Sequence, residues 1–405
     1  MKIETQRGRP RQLRLAAVAS AHAFTVILCP VTETTRTQPT RILILVVHHG
    51  STHVQIARVV EKALRLLRPS VQVEIVDVLA YCPWWFRAYY NSFEIPMKYW
   101  PGLWEHIETR QHQGESSGPL WLFHWGTRPL FRFIDAFAPH VVVATEVGLC
   151  EMAVLHKRQA PAPYALVGIG ALDFERPWAQ PEVDLFISSP GEVAQQLKSA
   201  GVAPERIVEC GMPVDPVFVP CADKPALRVR LGLERDLPVL LVNFGGSGRM
   251  KPRQVASELR RIQQPLQLVF IARRDEKLRE ELLRLTAGMP HAHILRWVDN
   301  MQEWMAAADI LVSRAGSCTV VEALNCGLPI VVFDAPPGSE RRVGEMVEKQ
   351  WQTGYWAKCS GDIAARINHL LAEPQELERL RRNTAQHAYP RAARDAAEAI
   401  LKLCP

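Results

Sequence analysis

From Arg41 onward the chain falls into short apolar runs separated by stretches of helical spacing. Arg41–Val47 is apolar at every position after the first and shows no polar alternation, the pattern of a strand covered on both faces. It ends in His48-His49-Gly50-Ser51-Thr52-His53; Val54–Leu67 then carries apolar residues at helical spacing, and Val71–Val78 reads as the next strand. Strand, loop, helix, strand is the βαβ unit of a parallel sheet. Further strands are expected at Val141–Thr145, Tyr164–Ile169 and Leu185–Ser188. A second block opens at Pro238 with the strand Val239–Phe244, closed by Gly245-Gly246-Ser247-Gly248 and followed by Leu266–Ala272, Ile294–Trp297, Ile310–Ser313 and Ile330–Phe333. Between the blocks, Gly211–Pro225 holds Pro213, Pro216, Pro220 and Pro225 and reads as a hinge. The pattern therefore predicts an α/β protein with two parallel-sheet domains facing across a cleft. Its expected divisions are an extension without fixed structure (1–40), a first domain (41–220), a linker (221–237) and a second domain (238–405).

Composition narrows the class. The 405 residues suit two domains, and 48% hydrophobic with 22% charged residues is ordinary globular usage. The net charge of +6 is too small to be a nucleic-acid footprint, so no nucleic-acid partner is expected. No run of 18 uncharged apolar residues suggests a transmembrane helix. The nine cysteines include no CxxC pair and fit free thiols in a reducing cytoplasm, which excludes a disulfide scaffold or a zinc ribbon. At the start, basic residues precede the apolar stretch Leu15–Pro30, but Ser20, His22 and Thr25 interrupt it. The expected reading is an unstructured extension, with an export signal as the alternative.

Ligands of open parallel sheets bind beyond the carboxyl ends of the strands, so the loops there are the candidates for chemistry. Gly245, Gly246 and Ser247 would let the backbone approach a phosphate, or simply form a tight turn. Ser313-Arg314-Ala315-Gly316-Ser317-Cys318-Thr319 follows a strand and opens a helix, so its N–H groups would face an anion. Glu322, one turn further in, would be placed to accept two ribose hydroxyls; alternatively Thr319 is a cap with Glu322 three residues on. Pro336-Pro337-Gly338-Ser339-Glu340 would set Ser339 and Glu340 over a sugar, or form a solvated turn. His48, His49 and His53 lack a nearby carboxylate or thiol at ligand spacing, so no metal is expected. His53 is better placed as a general base, with helix capping as the plain alternative. Six of the eleven tryptophans lie between Trp84 and Trp125 among tyrosines and basic residues, a mixture that suits either a membrane interface or the core of the first domain.

The segment Ala315–Glu340, with Gly316-Ser317-Cys318-Thr319, Glu322, Gly327-Leu328-Pro329 and Pro337-Gly338-Ser339-Glu340, resembles the donor-site signature of GT-B glycosyltransferases. The branch it resembles is family 28-like: monogalactosyldiacylglycerol synthases, processive diacylglycerol glucosyltransferases and the peptidoglycan-precursor GlcNAc transferase. Pro139–Thr145, Gly211–Val214, Trp178–Asp184 and Val298–Met301 also resemble it. The resemblance implies two Rossmann-like domains, with a C-terminal helix returning to the first. It implies an inverting, metal-free transfer of a hexosyl group from a UDP-sugar to a lipid, diacylglycerol-like or other amphipathic acceptor, at the cytoplasmic face of a membrane. No separate cofactor is implied.

Residue by residue, Glu322 would bind the ribose and Gly316, Ser317 and Thr319 the diphosphate. Gly245, Gly246 and Ser247 would line the donor pocket, Val298 would lie near the uracil, and Ser339 and Glu340 near the sugar. His53 falls at the family's loop histidine. Trp84, Trp85, Tyr89, Tyr90, Trp100 and Trp104 fall where lipid-acceptor members meet the membrane. Departures accompany this. The glycine-rich loop reads Gly50-Ser51-Thr52-His53, and the family's Thr-Asp…His block reads Gly170-Ala171-Leu172-Asp173-Phe174-Glu175, with Ala171 and Glu175 at the aspartate and histidine positions. Ser339 replaces a glutamine and Gly344 an asparagine. Asp173 and Glu175 are therefore additional candidates for the base. An isomerase of the UDP-GlcNAc 2-epimerase kind and a sugar-nucleotide binder without turnover are the alternatives.

Overall fold

The computed structural model describes residues 39–47, 51–92, 94–112, 119–244, 251–333, 338–359 and 361–405. Residues 39–405 form one compact unit. The first sheet contains β1 (Arg41–Val46), β2 (Gln72–Asp77), β3 (Val141–Ala144), β4 (Ala165–Ile169), β5 (Leu185–Ser188) and β6 (Ile207–Glu209), all parallel, in the order β2-β1-β3-β4-β5-β6. The second contains β7 (Val239–Asn243), β8 (Gln267–Ile271), β9 (Ala292–Leu295), β10 (Ile310–Ser313), β11 (Ile330–Phe333) and β12 (Gly354–Ala357), also parallel, in the order β12-β11-β10-β7-β8-β9. Winding therefore reverses between β1 and β3 in one sheet and between β7 and β10 in the other. At these two points neighbouring crossovers leave to opposite faces and open a crevice at the carboxyl ends of the strands.

The central strands are apolar throughout because helices cover both faces. Ile42, Ile44 and Val46 of β1 enter one core cluster and Leu43 and Leu45 another; in β7, Val239 and Leu241 separate from Leu240 and Val242 in the same way. Each such side chain contributes about 1.5–3 kcal/mol relative to an exposed one. The first cluster holds the inner faces of both sheets together with Met212, Val214 and Phe218 of the connecting segment and Ala393, Ala396, Ala397 and Ile400 of the last helix. That helix, Ala392–Leu401, lies on the helix Ser51–Leu67 of the first domain, as expected, and its alanines allow the close approach. The connecting segment passes the C-terminal stretch so closely that a Cβ on Gly211 (φ 90°) would lie 2.5 Å from Cβ of Tyr389.

Three strands differ from expectation. β6 and β12 were not expected: one is three residues long, and the other, Gly-Tyr-Trp-Ala, opens on a glycine. A Cβ at Gly354 would lie 1.9 Å from the carbonyl oxygen of Ile330, so that glycine is what lets the edge strand pair. β9 ends two residues before the expected strand. The stretch 221–237, expected as a linker, carries the helix Lys224–Arg230, bound to the second sheet through Arg228 Nε to the carbonyl of Ala307 (3.1 Å) and Arg228 Nη2 to Asp309 (2.5 Å).

Candidate active site

The helix after β1 starts at Ser51, three residues earlier than its apolar spacing indicated, which brings His53 into the first turn at the crevice of the first sheet. His53 Nδ1 lies 2.6 Å from the carbonyl oxygen of Thr145, the residue after β3. A carbonyl only accepts, so Nδ1 carries a proton and Nε2 is the ring nitrogen left open to a ligand. Thr145 is itself buried and held by its hydroxyl, which donates to the carbonyl of Leu45 (3.0 Å). The imidazole is thus set across the two strands that flank the switch point.

At the second crevice, the Ser313 hydroxyl donates to the carbonyl of Asn243 (3.0 Å) and ties the ends of β10 and β7. The helix Ser317–Asn325 begins there. Its N-cap is Gly316, with no side-chain cap, so Thr319 is not the cap and Glu322 is not part of a capping box. Ser317 is buried and Thr319 half-buried at the start of this helix. The bare N-terminus offers main-chain N–H groups and the positive end of the helix dipole to an anion. Glu322 stands one turn deeper. Among the described residues none donates a hydrogen bond to its carboxylate; burial, and secondarily the charge of Asp215, push it up to about 8. A carboxylate so placed gains by accepting hydroxyl protons from a ligand. Val298 is half-buried against the first core cluster at the start of the loop after β9.

The third loop resumes at Gly338 (φ 101°) and continues as the helix Ser339–Glu345, with Ser339 and Glu340 half-buried. Glu340 accepts from Arg314 Nη2 at 2.5 Å, which fixes this helix to the end of β10. Arg342 reaches the opposite domain. Its Nε lies 3.0 and 3.1 Å from the two oxygens of Asp173, and its Nη2 lies 2.5 Å from Oδ2. Asp173 is therefore turned to an arginine. Glu175, two residues on, is half-buried and contributes to the field around the Tyr90 phenol. Gly245, Gly246 and Ser247 lie outside the described residues, as do His48, His49, Pro336 and Pro337.

The aromatic set divides. Trp84 and Trp100 are exposed, whereas Trp85, Tyr89 and Tyr90 are half-buried against the core of the first domain; the side chain of Trp104 lies outside the described residues. The Tyr90 hydroxyl donates to Glu146 at 2.7 Å, and Glu146 also caps the helix Val147–Lys157 through the N–H of Leu149. A Cβ on Gly148 would lie 3.1 Å from that hydroxyl, so glycine makes room for the contact. Burial and Glu146 together hold the Tyr90 phenol well above its usual pKa. Two exposed tryptophans outside the sequence-derived site set, Trp121 and Trp125, sit a turn apart on the helix Leu120–Gly126. Its other face seats Phe123 and Gly126 on Phe86, where any side chain at Gly126 would strike the ring. Their i, i+4 spacing was the available signal. Arg342 and Thr145 carried none: one acts across domains, the other through its main chain.

The two crevices meet. The Cys318 thiol, on the second residue of the helix Ser317–Asn325, approaches the carbonyl of Thr52 at 3.9 Å, and Thr52 adjoins His53. Two wound parallel sheets with their switch points face to face define a GT-B glycosyltransferase fold. Residues 53–214 match the monogalactosyldiacylglycerol synthase family, and residues 240–396 match the glycosyltransferase family 28 C-terminal domain. The two matches fall on the first and the second domain in turn. The chain is 28% identical over 295 residues to a probable monogalactosyldiacylglycerol synthase 2, chloroplastic, of Oryza sativa subsp. indica, a match covering 70% of this chain and 56% of that one. The chain thus spans little more than half the length of that relative. It is 22% identical over 357 residues to a processive diacylglycerol beta-glucosyltransferase of Bacillus subtilis, covering 85% of this chain and 90% of that one. The crystal structure of Anabaena HepE in complex with UDP-glucose superposes with a TM-score of 0.54 at 15% identity, covering 89% of this chain and 99% of that one.

Proposed function

We propose that this chain is an inverting hexosyltransferase that moves a sugar from a UDP-sugar to the hydroxyl of a diacylglycerol-like or other amphipathic acceptor. The observation that carries the proposal is the meeting of the two crevices, which sets a proton acceptor on one domain beside an anion-binding helix start on the other. In this reading the uracil lies near Val298, and the ribose hydroxyls donate to Glu322. The diphosphate takes the N–H groups of Gly316, Ser317 and Thr319 with the backbone at Gly245, Gly246 and Ser247. Ser339 and Glu340 hold the sugar.

The acceptor oxygen attacks the anomeric carbon from the side opposite the diphosphate. His53 Nε2 takes the hydroxyl proton as the new C–O bond forms, and the bond from the anomeric carbon to the diphosphate oxygen breaks. The leaving UDP carries the charge, which the helix start stabilises. Similarity to lipid glycosyltransferases supports the acceptor class. The exposed tryptophans Trp84, Trp100, Trp121 and Trp125 suit peripheral contact with the inner face of a membrane. Among the described residues no helix is long and apolar enough to cross one.

The isomerase alternative calls for carboxylates grouped around the sugar; of the candidates Asp173, Glu175 and Glu340, Asp173 and Glu340 are each held by an arginine. A binder without turnover gives no reason for the locked tautomer of His53. The test is product analysis with α-linked UDP-glucose and UDP-galactose and vesicles containing diacylglycerol. A β-linked glycolipid is the expected product. Epimerised nucleotide sugar, or UDP binding with neither transfer nor hydrolysis, contradicts the proposal.

A further inference from the structure

The domains are joined by two unlike kinds of contact. On one side the last helix and the connecting segment share an apolar core with both sheets, and Ala393, Ala396, Ala397 and Ile400 are buried there. Opening such a contact exposes apolar surface, so it persists at all salt concentrations and serves as a pivot. Across the cleft the Asp173–Arg342 contact is ionic, with side-chain exposures of 13% and 35%. An arginine fork on a carboxylate fixes both distance and orientation, yet water and salt can replace it. It joins the loop after β4 to the helix after β11, strands that lie next to β3 and β10 in their sheets. That helix, Ser339–Glu345, starts at a glycine in the left-handed region and is held from its own domain by Arg314 through Glu340. Two ion pairs, one from each domain, thus set the position of the helix.

We infer that Asp173 and Arg342 form a breakable clasp across the cleft. Closed, it holds the helix Ser339–Glu345 against the first domain and positions Ser339 and Glu340; open, it admits and releases substrate. The pair positions other groups and takes no part in bond making. The second half of the inference rests on the donor-site reading above, whereas the clasp itself does not.

The experiment uses the full chain with Asp173→Asn, Arg342→Gln and the exchange Asp173→Arg/Arg342→Asp, each checked for folding by thermal unfolding. Small-angle scattering reports the opening of the cleft without reference to activity. Each single variant is expected to have a larger radius of gyration than wild type at low salt, wild type to approach them at 1 M salt, and the exchange to resemble wild type at low salt. In transfer assays the single variants are expected to lose about tenfold in kcat with UDP affinity changed less than about twofold, and the exchange to recover to within about threefold of wild type. Single variants that match wild type in both scattering and kcat overturn the clasp, as does an exchange no better than either single change. If wild type fails to bind UDP, the donor reading falls, and the scattering still decides the clasp.

Discussion

The two switch points share one geometry and carry opposite chemistry. At β7 and β10 the chain leaves a helix start without a side-chain cap and a half-buried carboxylate with no donor among the described residues. At β1 and β3 the polar groups are already satisfied: His53 is bound to Thr145, Thr145 to Leu45, and Tyr90 to Glu146. In the reading proposed above, one crevice binds and the other holds a proton acceptor in place. The winding is the same, so the difference lies in a few residues of each loop.

That division sets the expected sizes of mutational effects. Replacing His53 with Ala is expected to cost about 10³ in kcat, within the usual range for a general base, while UDP affinity stays at the wild-type value. Rapid-quench kinetics alongside nucleotide titration check this, and a parallel loss of UDP binding would erase the division. Glu322→Ala is expected to weaken UDP binding by about 10–100-fold, since a hydrogen bond to a charged group contributes about 1.5–3 kcal/mol. Comparing uridine with 2′-deoxyuridine diphosphate would assign that loss to the ribose.

A dependence on pH follows from the same carboxylate. With its pKa raised to about 8 when the site is empty, Glu322 is protonated at neutral pH. Accepting ribose hydroxyls favours the ionised form, so binding releases a proton. UDP affinity should then climb with pH up to about 8 and flatten above, and Glu322→Gln should abolish the climb. Titrations in buffers of different ionisation enthalpy measure the proton directly.

Stability of the empty protein moves the other way. A folded pKa above the unfolded value means that the native state binds more protons between about 4.5 and 8, so the contribution present at low pH is lost as pH rises through that window. Glu322→Gln should accordingly raise Tm at pH 8.5 and leave it nearly unchanged at pH 4.5. The smallest expected effect is at the surface. Trp121→Ala with Trp125→Ala should reduce binding to diacylglycerol-containing vesicles by about tenfold without altering Tm, because both rings are exposed in the free protein. Vesicle flotation is the check, and unchanged binding removes these rings from the membrane reading.

The second crevice was largely legible in the sequence because its parts are contiguous. A strand, Gly316–Thr319 and Glu322 lie within one short stretch, and periodicity alone places them at a strand end. The first crevice was harder. His53 could be read as sitting after β1, but its anchor Thr145 lies 92 residues away and acts through a main-chain carbonyl that leaves no trace in residue type. The partner of Asp173 could not be read either, because Arg342 is 169 residues on and in the other domain. Trp85, Tyr89 and Tyr90 looked like one surface with Trp84 and Trp100, since composition does not say which face of a short helix turns inward. β6 and β12 were missed because they run only three and four residues and depend on neighbours rather than on their own apolar content.

The central claim is that one crevice binds the nucleotide and the other supplies the base. Calorimetric titration of UDP, with GDP and TDP as controls, into wild type, Glu322→Ala and His53→Ala tests it most directly. Wild type should bind UDP with selectivity for uracil, His53→Ala should keep the same affinity, and Glu322→Ala should lose it. Absence of UDP binding in folded wild type, or equal affinity in wild type and Glu322→Ala, would contradict it.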